Sequence, residues 1–173
     1  DAIREYMTQV LGWEGEREER KLRLLYQRTK IAQRHSVLPD FDLEEKQPHL
    51  FSKEAVPGLS ERMRLYGQHA LPLAAEAANA CSAQAPTLNQ PEEITHLITV
   101  SCTGLRAPGL EMELIAELGL SPSIMRFAVN FIGCYAAFHA LKMADAFARS
   151  RPDARVLIVC VELCTLHFQH DTD

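Results

Sequence analysis

The stretch Ile124-Met125-Arg126-Phe127-Ala128-Val129-Asn130-Phe131-Ile132-Gly133-Cys134-Tyr135-Ala136-Ala137 decides the fold class. Ile124–Ile132 is rich in apolar and β-branched side chains, the composition of a strand. Gly133 breaks the run, and Cys134–Arg149 has the apolar spacing of a helix. A strand that stops and turns straight into a helix needs the backbone freedom of glycine. Such a corner forces the next side chain, Cys134, into an exposed and strained position. The helix N-terminus sets unsatisfied N–H groups and partial positive charge beside the sulfur. Both favour thiolate over thiol, so a pKa below the ~8.5 of a free cysteine is expected. A thiolate there can attack a thioester carbonyl, and the nearby N–H groups can hold the resulting oxyanion. The same corner also suits a cysteine that is a small buried hydrophobe.

Outward from this corner the pattern alternates. Ile94–Cys102 reads as a strand and Thr103–Gly109 as a loop. Glu111–Leu118 reads as a short helix that stops at Gly119. After the Cys134 helix comes a turn over Arg151–Ala154. Arg155–Leu163 is then an almost continuous apolar strand, expected to be buried on both faces. Strand–helix–strand alternation at these lengths predicts an α/β layered fold with a largely parallel sheet. Toward the N-terminus, Asp1–Leu11 reads as a short helix. Glu14–Ile31 reads as a longer one with Leu22, Leu25, Tyr26 and Thr29 on one face. His35–Gly58 is a proline-containing connector. Ser60 caps a helix to about Ala83, in which Pro72 is expected to kink or split the rod. Gln84–Glu92 is a loop. The expected organisation is a mainly helical lead-in over 1–92 and a strand and helix core over 93–173.

Composition narrows the function. Of 173 residues, 47% are apolar and 24% charged, a globular balance. The 18 Lys and Arg against 23 Asp and Glu give a net charge of −5, which argues against a nucleic-acid binder. No apolar run reaches the ~20 residues that span a bilayer. Residues 1 to 30 lack the apolar stretch of a signal peptide. Five cysteines is an odd number, and most sit in apolar segments. That fits thiols of a reducing cytoplasm, buried or catalytic, better than a disulfide frame.

The spacing Cys160-x3-Cys164-x2-His167 resembles a metal-ligand pattern, but Cys160 lies inside an apolar strand with no turn around an ion. No metal is therefore expected. Cys160 reads as core, while Cys164 and His167, at the strand's end, face a pocket. His139, five residues after Cys134 on the same helix, points away from it. His35, His49, His69, His96 and His170 read as loop or helix-surface residues. Phe138, Met143 and Phe147 read as core. Arg17, Arg20, Lys21, Arg23, Arg28, Lys30 and Arg34 form a basic cluster whose interleaved glutamates suit a solvated helix face.

Several separated motifs resemble one family. They are Thr29 to His35; Thr95-His96-Leu97-Ile98-Thr99-Val100-Ser101-Cys102-Thr103-Gly104; Ala107-Pro108-Gly109; Gly119-Leu120-Ser121-Pro122; Asn130 to Ala137; and Ala154 to Leu163. In order and spacing they are similar to the type III polyketide synthases, the chalcone and stilbene synthase family, and closer to bacterial members in wording. The resemblance implies a thiolase-like fold, two α/β halves in a layered αβαβα sandwich, of which this chain is the N-terminal half. It implies a homodimeric enzyme that loads an acyl group from coenzyme A onto a cysteine. That group is extended with malonyl-CoA by decarboxylation, with no cofactor beyond the coenzyme A thioester substrates.

On matching positions the nucleophile is Cys134. Cys102, Thr103, Cys164 and His167 line the cavity, with Gly104 in the adjoining loop, and Lys21 and Arg23 meet coenzyme A. Ala107 stands where plant members carry a methionine, which implies a differently shaped cavity. The family's activating histidine and asparagine belong to its second half, beyond Asp173, so residues 1–173 alone are not expected to complete catalysis. Two other readings are a carrier-protein-dependent ketoacyl synthase of the same fold and a non-catalytic half-domain.

Overall fold

The structure, a computed structural model, describes residues 15–41, 50, 57–85 and 90–169. The expected helix over Asp1–Leu11 lies outside them, as do His49 and His170. The chain divides into two compact units: Leu59–Leu166, and a second formed by Asp1–Gly58 with His167–Asp173.

In the second unit, helix α1 (Glu16–Thr29) ends at Lys30, whose left-handed backbone (φ 53°) stops the spiral. Leu22 is buried, but Leu25 is exposed, so the apolar stripe is narrower than its spacing predicts. The buried Asp40 carboxylate accepts the Leu50 N–H at 2.8 and 3.0 Å. Phe41 meets Phe168 edge to face, ring centroids 5.7 Å apart.

The larger unit opens with helix α2 (Leu59–Gln84). It runs unbroken through Pro72, and Ser60 lies inside its first turn rather than capping it. Arg62, Tyr66, Ala70, Ala74, Ala75 and Ala78 form its buried stripe at helical spacing. Three strands follow: β1 (His96–Ser101), β2 (Met125–Asn130) and β3 (Val156–Cys160). They pair in parallel in the order β2-β1-β3. Helix α3 (Leu110–Glu117) links β1 to β2, and helix α4 (Ala136–Ser150) carries the chain from β2 across to β3. Gly119 follows α3 with φ 65°, the left-handed conformation that glycine adopts without strain after a helix.

Strand alternation sorts the two faces. Ile98 and Val100 pack with Val129, Ala136 and Ala140, joined by Phe127, Met143, Phe147, Val156 and Ile158. Leu97, Thr99 and Ser101 point the other way, where the Tyr66 hydroxyl donates to Ser101 Oγ at 2.8 Å. β1 is buried along its whole length, because it has a strand on each side and helices on both faces. The outer strands are not. β3, expected to be buried on both faces, is mostly half-exposed, and Cys160 is exposed rather than core. Among the described residues each outer strand has a β neighbour on one side only. Phe138 also departs from the expected core role: it is exposed, and its helix turns Met143 and Phe147 inward instead. Among the described residues no helix is long and apolar enough to cross a membrane.

Two local requirements give tests. An added Cβ at Gly104 would sit 2.1 Å from Tyr66 Cγ, inside a wholly buried ring. Gly104→Ala is expected to destabilise the protein by about 1–3 kcal/mol, read as a lower urea midpoint. His96, expected at a surface, is instead 0% exposed and stacks on Phe147 with centroids 4.5 Å apart. Its Nδ1 shares a hydrogen bond with Thr95 Oγ1 at 2.7 Å, and Nε2 has no partner. Burial, then the charge of Arg151, holds its pKa below the ordinary histidine value, against the opposing charge of Asp153. The unfolded chain therefore takes up this proton first as pH falls. Stability is expected to hold at neutral pH and to fall below about pH 6.5, by at most ~1.4 kcal/mol per pH unit from this group. His96→Phe is expected to flatten that part of the curve, measured by denaturant unfolding at several pH values.

Candidate active site

Parallel, in-register strands end side by side. Ser101 pairs with Asn130 across β1 and β2, and Val100 pairs with Cys160 across β1 and β3. The residues that follow each strand therefore emerge along one edge. These are Cys102 and Thr103 after β1, Phe131 to Cys134 after β2, and Glu162 to Cys164 after β3.

The β2 exit is an abrupt corner. Phe131 has φ 60° and Gly133 φ 73°, so two residues of left-handed backbone bracket Ile132. At Gly133 the conformation costs little; at Phe131 it is strained. A short 3₁₀ turn, Gly133–Tyr135, carries Cys134, and the α-helix starts only at Ala136, two residues later than the apolar spacing predicts. The Ala136 N–H closes this turn on the Gly133 carbonyl oxygen. Ala136 and Ala140 are wholly buried, and their small side chains let the helix lie against the sheet just after the corner. Cys134 is exposed, which removes the reading of it as a buried hydrophobe.

Cys102 supports the corner directly. Its sulfur accepts the Gly133 N–H at 3.2 Å, and its S–H faces the Gly133 carbonyl oxygen at 3.8 Å. The β1 exit is in turn held by Glu162, a residue the sequence reading did not single out. Its carboxylate accepts the Cys102 N–H at 2.8 and 3.0 Å and the Thr103 N–H at 3.1 Å. The Thr103 hydroxyl donates to it at 2.7 Å and accepts the Leu163 N–H at 2.8 Å. The available signal was an acidic residue set between Val161 and Leu163 at the end of an apolar strand.

Cys164 opens a 3₁₀ turn, Cys164–His167, whose Leu166 carbonyl accepts a hydrogen bond from the buried Arg62 of α2. Burial first, then the charges of Glu162 and Cys134, raise the Cys164 pKa. Burial and Glu162 likewise raise that of Cys160, whose sulfur is partly desolvated although the residue is exposed. Both therefore favour the neutral thiol.

The structure thus brings Cys102, Thr103, Cys134 and Cys164 to one edge of the sheet. Lys21, Arg23 and His167 belong to the other unit. There Lys21 and Arg23 are exposed on α1, and Arg23 pairs with Glu19 at 3.6 Å. His139 packs against the Tyr135 ring, centroids 4.8 Å apart, and Lys142 Nζ donates to the Tyr135 hydroxyl at 2.8 Å. A cavity of about 230 Å³ opens on the opposite face of the sheet from α4, beside Tyr66, Ser101, Arg106, Ala128 and Asn130. Cys134 does not line it.

Comparison with known proteins accounts for this layout. The family model described as the N-terminal domain of chalcone and stilbene synthases matches residues 2–173. Among curated proteins, the alpha-pyrone synthesis polyketide synthase-like Pks18 of Mycobacterium tuberculosis is 36% identical over 153 residues, covering 88% of this chain and 37% of that protein. Among solved structures, PKS-I from the brown alga Ectocarpus siliculosus aligns with a TM-score of 0.81 at 30% identity, over 99% of this chain and 46% of that one. The 1,3,6,8-tetrahydroxynaphthalene synthase of Streptomyces coelicolor, a bacterial type III polyketide synthase, aligns with a TM-score of 0.74 at 28% identity, over 96% and 46%. The chain spans 37% of the length of the Mycobacterium relative and 46% of each of the two solved structures, less than half in every case. The three-stranded parallel sheet with helices on both faces is the corresponding part of the thiolase-like fold, and the chain belongs to the chalcone and stilbene synthase family, matching its N-terminal domain.

Proposed function

We propose that the complete protein is a type III polyketide synthase that carries its growing acyl chain on Cys134. The observation that carries this reading is the β2 corner, which leaves one cysteine exposed on a short turn between a strained strand exit and a helix start. The thiolate attacks the carbonyl carbon of an acyl-CoA. The tetrahedral oxyanion collapses, the coenzyme A thiolate leaves, and the acyl group stays on the cysteine. Malonyl-CoA then loses carbon dioxide, and the electron pair released forms an enolate. That enolate attacks the acyl carbon, and the Cys134 thiolate departs.

Cys102, Thr103 and Cys164 border the acyl chain in this reading, and His167 lies on the turn that Cys164 opens. Lys21 and Arg23 offer cationic side chains to the phosphates of coenzyme A. The family's histidine and asparagine fall in the part of the relatives that this chain does not span. The complete protein acts as a cytoplasmic homodimer on coenzyme A thioesters and needs no bound cofactor.

The test is acyl transfer in the full-length protein. After incubation with a panel of acyl-CoAs, peptide mass mapping is expected to find the acyl adduct on the Cys134 peptide, with polyketide product appearing once malonyl-CoA is added. Cys134→Ala is expected to abolish both, while Cys81→Ser, on the exposed surface of α2, retains them. An adduct that persists on another residue in Cys134→Ala would overturn the assignment. Transfer from an acyl carrier protein only would point to the ketoacyl synthases instead.

A further inference from the structure

We propose that Glu162 is a positioning residue for Cys134, acting through Thr103 and Cys102. This rests on the acyl-transfer reading of Cys134 and adds a residue to it. The path is continuous in hydrogen bonds. Glu162 leaves the end of β3 and takes both backbone N–H groups that follow β1, those of Cys102 and Thr103. Thr103 Oγ1 closes the loop by donating to Glu162 and accepting from Leu163. The ends of β1 and β3, sixty residues apart in sequence, are thereby fastened to each other.

Cys102, held by its own N–H, presents its sulfur to the Gly133 N–H at 3.2 Å. Gly133 is the residue before the nucleophile and sits at φ 73°, in a corner whose other left-handed residue, Phe131, is strained. A corner of that kind keeps one conformation only when its surroundings over-determine it. Cys102 supplies such a constraint, and Glu162 holds Cys102 in place.

The carboxylate has a second consequence at the same edge. Burial first, and then its charge, oppose ionisation of Cys160 and Cys164, which stand two residues to either side of it in the chain.

The experiment uses the full-length protein as wild type, Glu162→Gln, Thr103→Val and Thr103→Ser, each checked for an unchanged thermal transition. Two quantities are read. One is the acylation of Cys134 by the acyl-CoA panel, resolved into its saturating rate and half-saturating concentration. The other is alkylation of Cys134 and Cys164 by iodoacetamide, followed site by site by peptide mass spectrometry. Glu162→Gln and Thr103→Val are expected to lower the saturating acylation rate about 10- to 100-fold with the half-saturating concentration unchanged. Thr103→Ser, which keeps the bridging hydroxyl, is expected to recover it. In Glu162→Gln and Thr103→Val the alkylation rate of Cys134 is expected to depart from wild type, because the Gly133 turn loses its fixed contact with Cys102.

Wild-type acylation in folded Glu162→Gln and Thr103→Val overturns the proposal, as does a loss in Thr103→Val that Thr103→Ser does not recover. If the wild type takes no acyl group from any coenzyme A thioester, the functional reading fails by itself. The alkylation rate of Cys134 then decides the positioning role, and a rate unchanged in both Glu162→Gln and Thr103→Val overturns it.

Discussion

β1 takes its hydrogen bonds from β2 on one side and β3 on the other, and its side chains are buried on both faces. A parallel ladder locked this way cannot slip by one residue without exchanging the two faces. Ile98 and Val100 would then leave α4, and the buried Leu97 would turn toward it. Register along β1 therefore sets where the outer strands stop, and this puts Cys102, Cys134 and Glu162 on one edge despite sixty residues of separation. A similar demand explains Ala136 and Ala140. The helix that follows the corner must lie close to β1, and larger side chains there would lift it away.

Where the ladder ends, its last N–H groups still need acceptors. Glu162 meets that need at Cys102 and Thr103 with an ionisable group, where a backbone carbonyl would have served in a longer strand. Its charge adds to burial in opposing ionisation of Cys160 and Cys164. Structure and proposed chemistry meet at this point. The group that ties two strand ends together also holds Cys102, whose sulfur meets the corner that carries Cys134.

The outer surfaces behave differently from the centre. Phe131, Ile132, Tyr135, Phe138 and Leu141 are large apolar or aromatic side chains that stay exposed around the corner and along α4. Among the described residues the edge strands also have a β neighbour on one side only. A continuous apolar run such as Val156–Val161 looks the same in sequence whether its strand is central or at an edge. This is why β3 was expected to be buried and is not.

Local chemistry made much of the molecule legible in sequence. Gly133 after an apolar strand announced the corner, Gly119 the end of α3, and strand–helix alternation the parallel sheet, because backbone freedom and side-chain period are properties of a few adjacent residues. The nucleophile candidate was readable for the same reason. Other features required the tertiary structure. The position of His96 in the core, the close approach of Tyr66 to Gly104, and the Glu162 bridge to Cys102 and Thr103 each join residues far apart in the chain. Their geometry is fixed by strand order and register. A spacing in sequence carries no record of which strand lies beside which, and so no record of which side chains meet where the strands end.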